Sequence, residues 1–64
     1  MEPTPEQLRT LYVTGRQLTA QLKSFIRLID ILPNRDLCIV IQPRQFPDQR
    51  MIVYIDLNGD TEYV

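Results

Sequence analysis

The chain contains no histidine and a single cysteine, Cys38, among its 64 residues. Histidine is the side chain that most often moves protons near neutral pH, and histidine and cysteine together form most zinc sites. One cysteine also excludes an internal disulfide. These absences argue against an enzyme and against a bound metal or other cofactor. The single cysteine is also typical of a protein kept in the reducing cytoplasm.

Long apolar runs are missing as well. No stretch approaches the roughly 18 residues that a membrane-spanning helix needs. The opening Met1-Glu2-Pro3 is acidic and contains proline, which is unlike a signal or transit peptide. We therefore expect a cytoplasmic protein that does not associate with membranes.

Basic residues are too few for a dedicated nucleic-acid binder, because the formal net charge is −1. The charges are unevenly placed. Residues 1–35 hold five basic and three acidic side chains, whereas residues 36–64 hold two basic and five acidic ones. A molecule polarised in this way can pair with a copy of itself or with a partner polarised in the opposite sense.

The length bounds the fold to one domain, residues 1–64. A chain this short buries only about 60% of the surface that its unfolded form exposes. Small domains usually compensate with disulfides, a metal or a partner subunit. Since the composition excludes the first two, we expect self-association as a homodimer.

The first element begins with a capping sequence. Thr4 suits the N-cap, Pro5 the first helical position and Gln7 the third, which predicts a helix from this point. Apolar residues then recur at helical spacing: Leu8, Leu11, Leu18, Leu22 and Phe25, flanked by Tyr12 and Ile26. Gly15 occupies the one vacant step, either as a weak point costing about 1 kcal/mol or, as we favour, where another backbone packs closely.

Where this helix ends is open to two interpretations. The apolar spacing continues to Leu32, so one long helix to about residue 32, followed by a β-hairpin, is the alternative. Such a helix would be about 42 Å long, which is too long for a domain of this length, whose expected radius of gyration is about 11 Å. The segment 26–31 is also rich in isoleucine, which favours strands. We predict that the helix ends near Lys23 or Ser24 and that a strand begins near Ile26.

Two later segments alternate with a period of two. Residues 37–42 and 51–57 each have one fully apolar face, which is typical of strands packed under a helix. If Ile31 lies opposite Leu37, Ile29 falls opposite Ile39 and the first strand shares that core face. Asn58-Gly59 predicts a hairpin turn, and residues 61–64 a short edge strand. The predicted class is α+β, with one N-terminal amphipathic helix on an antiparallel sheet of three to four strands.

The stretch 26–41 and the ending Ile55-Asp56-Leu57-Asn58-Gly59-Asp60-Thr61-Glu62-Tyr63-Val64 resemble a family of uncharacterised small bacterial proteins, chiefly cyanobacterial, of similar length. The resemblance covers over half of the chain. It implies an N-terminal helix followed by a C-terminal β-hairpin. That family has no known activity, so the resemblance implies nothing about function.

Three groups of residues are candidates for contact with other molecules. The loop 43–50 places Phe46 between Arg44 and Arg50, a composition suited to binding a protein partner. The alternative is that Phe46 folds back and plugs the core. On the second sheet face, Cys38, Val40, Ile52 and Tyr54, with Tyr63 as a further candidate, predict a homodimer interface, the alternative being an ordinary exposed face.

The third group is the row of Arg9, Arg16 and Lys23, which recur every seven residues. This row is either simply solvated or contacts an acidic protein surface or, less favoured, nucleic acid. Asp56, Asn58 and Asp60 begin like a calcium loop, but Thr61 stands where that loop requires glycine, which predicts a turn without metal. The sequence thus indicates a small non-enzymatic protein-interaction or regulatory module, with a nucleic-acid-associated regulator as the alternative.

Overall fold

The computed structural model describes residues 2–64, and the side chain of Leu22 lies outside that description. The elements are a helix α1 (Pro5–Leu22) and four strands, β1 (Ser24–Ile31), β2 (Leu37–Pro43), β3 (Met51–Ile55) and β4 (Thr61–Tyr63). The strands form an antiparallel sheet in the order β1-β2-β3-β4, and α1 packs on one face of it. The predicted α+β architecture is confirmed.

The helix begins with the predicted capping box. The backbone N–H of Gln7 donates to Oγ1 of Thr4 at 3.1 Å, and the N–H of Thr4 donates to Oε1 of Gln7 at 2.8 Å. Two of the amide groups that a helix start leaves unpaired are thereby satisfied. Pro5 occupies the first turn without loss, since it has no N–H to satisfy.

The helix ends where the sequence predicts, and the long-helix alternative is wrong. Lys23 adopts a left-handed conformation, with φ at 47°, which stops the helix and reverses the chain. The hydroxyl of Ser24 donates to the carbonyl of Leu18 at 2.9 Å and satisfies part of the last turn. Strand β1 therefore begins at Ser24, two residues before the predicted start.

The core lies between α1 and the two central strands. Five side chains from β2 and β3, each at most 1% exposed, form it together with Leu18: Leu37, Ile39, Ile41, Val53 and Ile55. On the helix, Gln7 and Thr14 are buried, whereas Leu8 is half-exposed, so the expected apolar stripe is wrong at its first position. The helix is rotated from the orientation that the apolar stripe predicts, because the Gln7 amide donates to the carbonyl of Arg35 in the β1–β2 turn at 2.9 Å and to the carbonyl of Ile55 in β3 at 3.2 Å.

Strand β1 follows the predicted register but contributes little to the core. Ile31 pairs with Leu37 and Ile29 with Ile39, as expected, and a β-bulge interrupts the ladder at Arg27. Ile29 and Ile31 nevertheless stay 48% and 37% exposed, although they share the core face. The reason is that α1 covers β2 and β3 and leaves the core face of the edge strand half open.

The hairpin between β3 and β4 turns at Gly59, which has a φ of +87°. Asn58, by contrast, does not take the positive φ that a two-residue turn would require. A Cβ at Gly59 would lie 2.8 Å from Oγ1 of Thr10 and 2.9 Å from the carbonyl oxygen of Glu6. The absence of a side chain thus lets the first turns of α1 rest on this hairpin.

Candidate interaction surfaces

The sheet face opposite α1 has no second layer on it, and we call it the open face. It carries Phe25, Leu28 and Asp30 of β1, Cys38, Val40 and Gln42 of β2, Ile52 and Tyr54 of β3, and Glu62 of β4. All four residues predicted for self-association lie here, half-buried, as the cross-strand pairs Cys38–Tyr54 and Val40–Ile52. The structure therefore brings these four residues together.

A row of aliphatic side chains crosses the open face from edge to edge. Leu28 pairs with Val40, Val40 pairs with Ile52, and the backbone N–H of Val64 donates to the carbonyl of Ile52 at 2.9 Å. Leu28 is 54% exposed and Val64 is 73% exposed. The sequence analysis missed both ends of the row, because they become neighbours of Val40 and Ile52 only through the strand register.

Tyr63 does not belong to the open face. It pairs with Val53, a core residue, so its side chain lies on the face that carries α1, at the edge of the sheet. The sequence assignment of Tyr63 to the dimer surface is wrong because the register of β4 gives that position to Glu62, which pairs with Tyr54.

The two ends of the open face carry opposite charge. At the end where β1 begins, Arg27 donates to Oε1 of Gln42 at 3.0 Å, and the Arg44 guanidinium lies over the ring of Phe25, 5.8 Å from its centroid. At the other end, four acidic side chains surround Tyr54: Asp36, Asp56, Asp60 and Glu62. The aliphatic row lies between a basic end and an acidic end.

The residues predicted for partner binding do not converge. Arg44 is on the open face with Phe25, whereas Phe46 lines a cleft beside the end of α1 with Lys23 and Met51. Phe46 is 53% exposed, so it is not a core plug, and Arg50 is exposed beyond it in the same loop. The loop is held to the sheet, because the Gln42 amide donates to the carbonyl of Pro47 at 2.8 Å.

The predicted basic row is shorter than its spacing indicates. Arg9 and Arg16 lie two turns apart on α1, but Lys23 lies beyond the helix in its left-handed cap and lines the Phe46 cleft. The Arg16 guanidinium lies over the Tyr12 ring at 5.6 Å and donates to its hydroxyl at 3.2 Å.

An apolar groove runs between α1 and the exposed core face of β1, and we call it the α1–β1 groove. Its volume is about 500 Å³, and its lining is Leu11, Tyr12, Gly15, Arg16, Thr19, Ala20, Ile26 and Ile29. At Gly15 the helix comes close to the side chain of Ile26, since a Cβ on Gly15 would lie 3.4 Å from Cδ1 of Ile26. The close approach expected at Gly15 therefore involves a side chain rather than a backbone.

The acidic turn after β3 is organised by its own backbone. Oδ1 of Asp56 accepts from the N–H groups of Asn58 and Asp60 at 2.9 and 3.0 Å. Within residues 2–64, no three histidine, cysteine or carboxylate side chains are grouped as metal ligands. In the same residues, no helix combines the length and the apolar character required to cross a bilayer.

Comparison with known proteins finds no match: no family model, no curated protein and no solved structure corresponds to this chain. The resemblance to the small bacterial family thus stays a prediction. The function is therefore inferred from the surfaces described above.

Proposed function

We propose that this chain is a small non-enzymatic protein-interaction module of the cytoplasm that forms a homodimer through its open face. The aliphatic row of Leu28, Val40, Ile52 and Val64 is the observation that carries the proposal. Apolar side chains that cross an entire sheet face without a covering layer mark an interaction surface more often than a solvated one. The half-buried lone Cys38 is consistent with a reducing compartment.

A second copy is the occupant that the charges favour. In such a dimer the two open faces lie against each other, and the two-fold axis runs along the aliphatic row, perpendicular to the strands. Val40 then lies opposite Val40 of the partner subunit. The axis also carries the basic end of one copy over the acidic end of the other. Asp36 and Arg44 flank β2, four residues before and four residues after Val40, so Arg44 of each copy faces Asp36 of the other. A self-complementary surface of this kind is what a two-fold dimer requires.

The open face is small, so the dimer we propose belongs with weak, transient interfaces rather than with obligate ones. Four strands spaced about 4.8 Å apart and about 17 Å long present a footprint well below the ~800 Å² per partner of a standard interface. We therefore expect a reversible dimer with a dissociation constant of about 10 µM or weaker.

The experiment is sedimentation equilibrium over a range of concentrations, on the wild type and a matched pair of variants. Leu28→Lys introduces a charge into the aliphatic row at a position that is 54% exposed, and Val13→Lys does so on the outer side of α1 at 46% exposure. We expect Leu28→Lys to be monomeric with unchanged circular dichroism, and Val13→Lys to dimerise like the wild type. A wild type that stays monomeric at ~1 mM, or a Leu28→Lys variant that dimerises normally, contradicts the proposal.

The nucleic-acid alternative has less support. With Lys23 outside the helix, Arg9 and Arg16 are left on the row, and two phosphate contacts supply little of the electrostatic affinity that such binding depends on. No observation in the fold favours it over the open face.

A further inference from the structure

We propose that the α1–β1 groove binds an amphipathic helix of another protein, with acidic residues along the flank that meets α1. This inference goes beyond the homodimer, because the groove lies on the helix-covered side of the sheet and the dimer surface on the other. The two surfaces can therefore be tested separately.

The sheet has room for a second helix beside α1. The helix approaches the start of β1 at Gly15, where a Cβ would lie 3.4 Å from Cδ1 of Ile26, but it leaves Ile29 and Ile31 on the same face 48% and 37% exposed. Two packed helices lie about 8–10 Å apart. A second helix beside α1 would therefore rest above β1, on the half-exposed side chains of Ile26, Ile29 and Ile31.

The shape and chemistry of the α1–β1 groove suit a helix. Its helical wall extends from Leu11 to Ala20, about 14 Å or two and a half turns. That length suits an occupant helix with apolar anchors at i, i+4 and i+7. The floor and walls are mainly aliphatic, and the Tyr12 ring, 64% exposed, stands at the rim.

The charge at the groove rim favours the helix of another protein over α1 of a second copy. The guanidinium of Arg16 is held at the groove rim by the Tyr12 ring and hydroxyl, and Arg9 lies two turns before it. A bound helix with acidic residues on the flank that meets α1 is attracted to these two arginines. A second α1 would bring its own Arg9 and Arg16 there, and its Leu11 and Leu18 already pack in its own core.

The test uses two fluorescein-labelled model helices and fluorescence anisotropy at low salt. Both carry leucines at i, i+4, i+7 and i+11; one has glutamates along a single flank and the other has lysines in their place. We expect the glutamate peptide to bind at least about tenfold more tightly. Ile29→Ser should weaken it about tenfold by removing buried aliphatic surface, whereas Val13→Ser, similarly exposed but outside the groove, should not. Arg16→Glu should reverse the preference between the two peptides.

Amide chemical shifts locate the bound peptide. We expect changes at Gly15, Thr19 and Ile29 and none along the aliphatic row of the open face. Equal affinity for both peptides, no saturable binding up to ~1 mM, or equal weakening by Ile29→Ser and Val13→Ser would overturn the inference. The monomeric Leu28→Lys variant should bind the glutamate peptide like the wild type, so failure of the dimer and failure of the groove are separate results.

Discussion

Gln7 and Ile55 are joined by a hydrogen bond of 3.2 Å from the side-chain amide to the backbone carbonyl, across 48 positions of sequence. The same amide nitrogen donates to the carbonyl of Arg35, and the amide oxygen accepts from the N–H of Thr4. One fully buried side chain therefore links the start of α1, the β1–β2 turn and the end of β3. This linkage sets the rotation of the helix over the sheet and, with it, which helix positions line the α1–β1 groove.

Replacing Gln7 by leucine should cost about 3 kcal/mol of unfolding free energy, because the buried carbonyl of Ile55 and the partly buried carbonyl of Arg35 lose their donor and the capping box loses its acceptor. Gln17→Leu, on an exposed helix position, is the matched control and should change the stability by less than about 0.5 kcal/mol. Urea unfolding followed by circular dichroism measures both. Equal effects would mean that the Gln7 linkage does not stabilise the fold.

The two glycines should respond in opposite ways to alanine. Gly59→Ala places a Cβ at a φ of +87° and within 2.9 Å of two atoms of α1, so we expect a loss of about 2 kcal/mol or more. Gly15→Ala adds helix propensity worth up to about 1 kcal/mol, and its nearest neighbour is the end of the half-exposed Ile26 side chain. Thermal unfolding of the two variants gives the comparison. A stabilised Gly59→Ala protein would contradict the observed hairpin geometry.

Phe46→Ala should leave the fold intact, since the ring is 53% exposed and lies outside the core. We expect a change of at most about 1 kcal/mol, against about 2–5 kcal/mol for Ile39→Ala in the core. Chemical denaturation of both variants checks this. A loss at Phe46 as large as at Ile39 would make it a structural residue and remove it as a partner-binding candidate.

The proposed orientation of the homodimer leads to a charge-swap prediction. Arg44→Asp and Asp36→Arg should each weaken self-association, because each sets like charges against one another in the antiparallel arrangement. An equimolar mixture should form a heterodimer, since both facing pairs then regain opposite charge. Native mass spectrometry of the two single variants and their mixture tests this. Failure of the mixture to associate more strongly than either variant alone would exclude this orientation.

The sequence patterns predicted the elements well where the signal was local. The capping residues Thr4 and Gln7, the isoleucine-rich segment after Lys23 and the alternation in β2 and β3 each reflect interactions between near neighbours in the chain. The residues of the expected partner site do not converge, for the opposite reason. Arg44 and Phe46 are two residues apart, yet the tight turn between them directs one to the open face and the other to the end of α1.

By itself, the sequence determined the order of elements and the polarity of charge, because backbone preferences and side-chain alternation act over a few residues. Only the tertiary structure decided which apolar side chains are left uncovered. A single helix, positioned by the buried amide of Gln7, covers two of the four strands, and the uncovered remainder becomes the α1–β1 groove on one face and the aliphatic row on the other. That choice depends on hydrogen bonds between residues far apart in sequence, which no local pattern encodes.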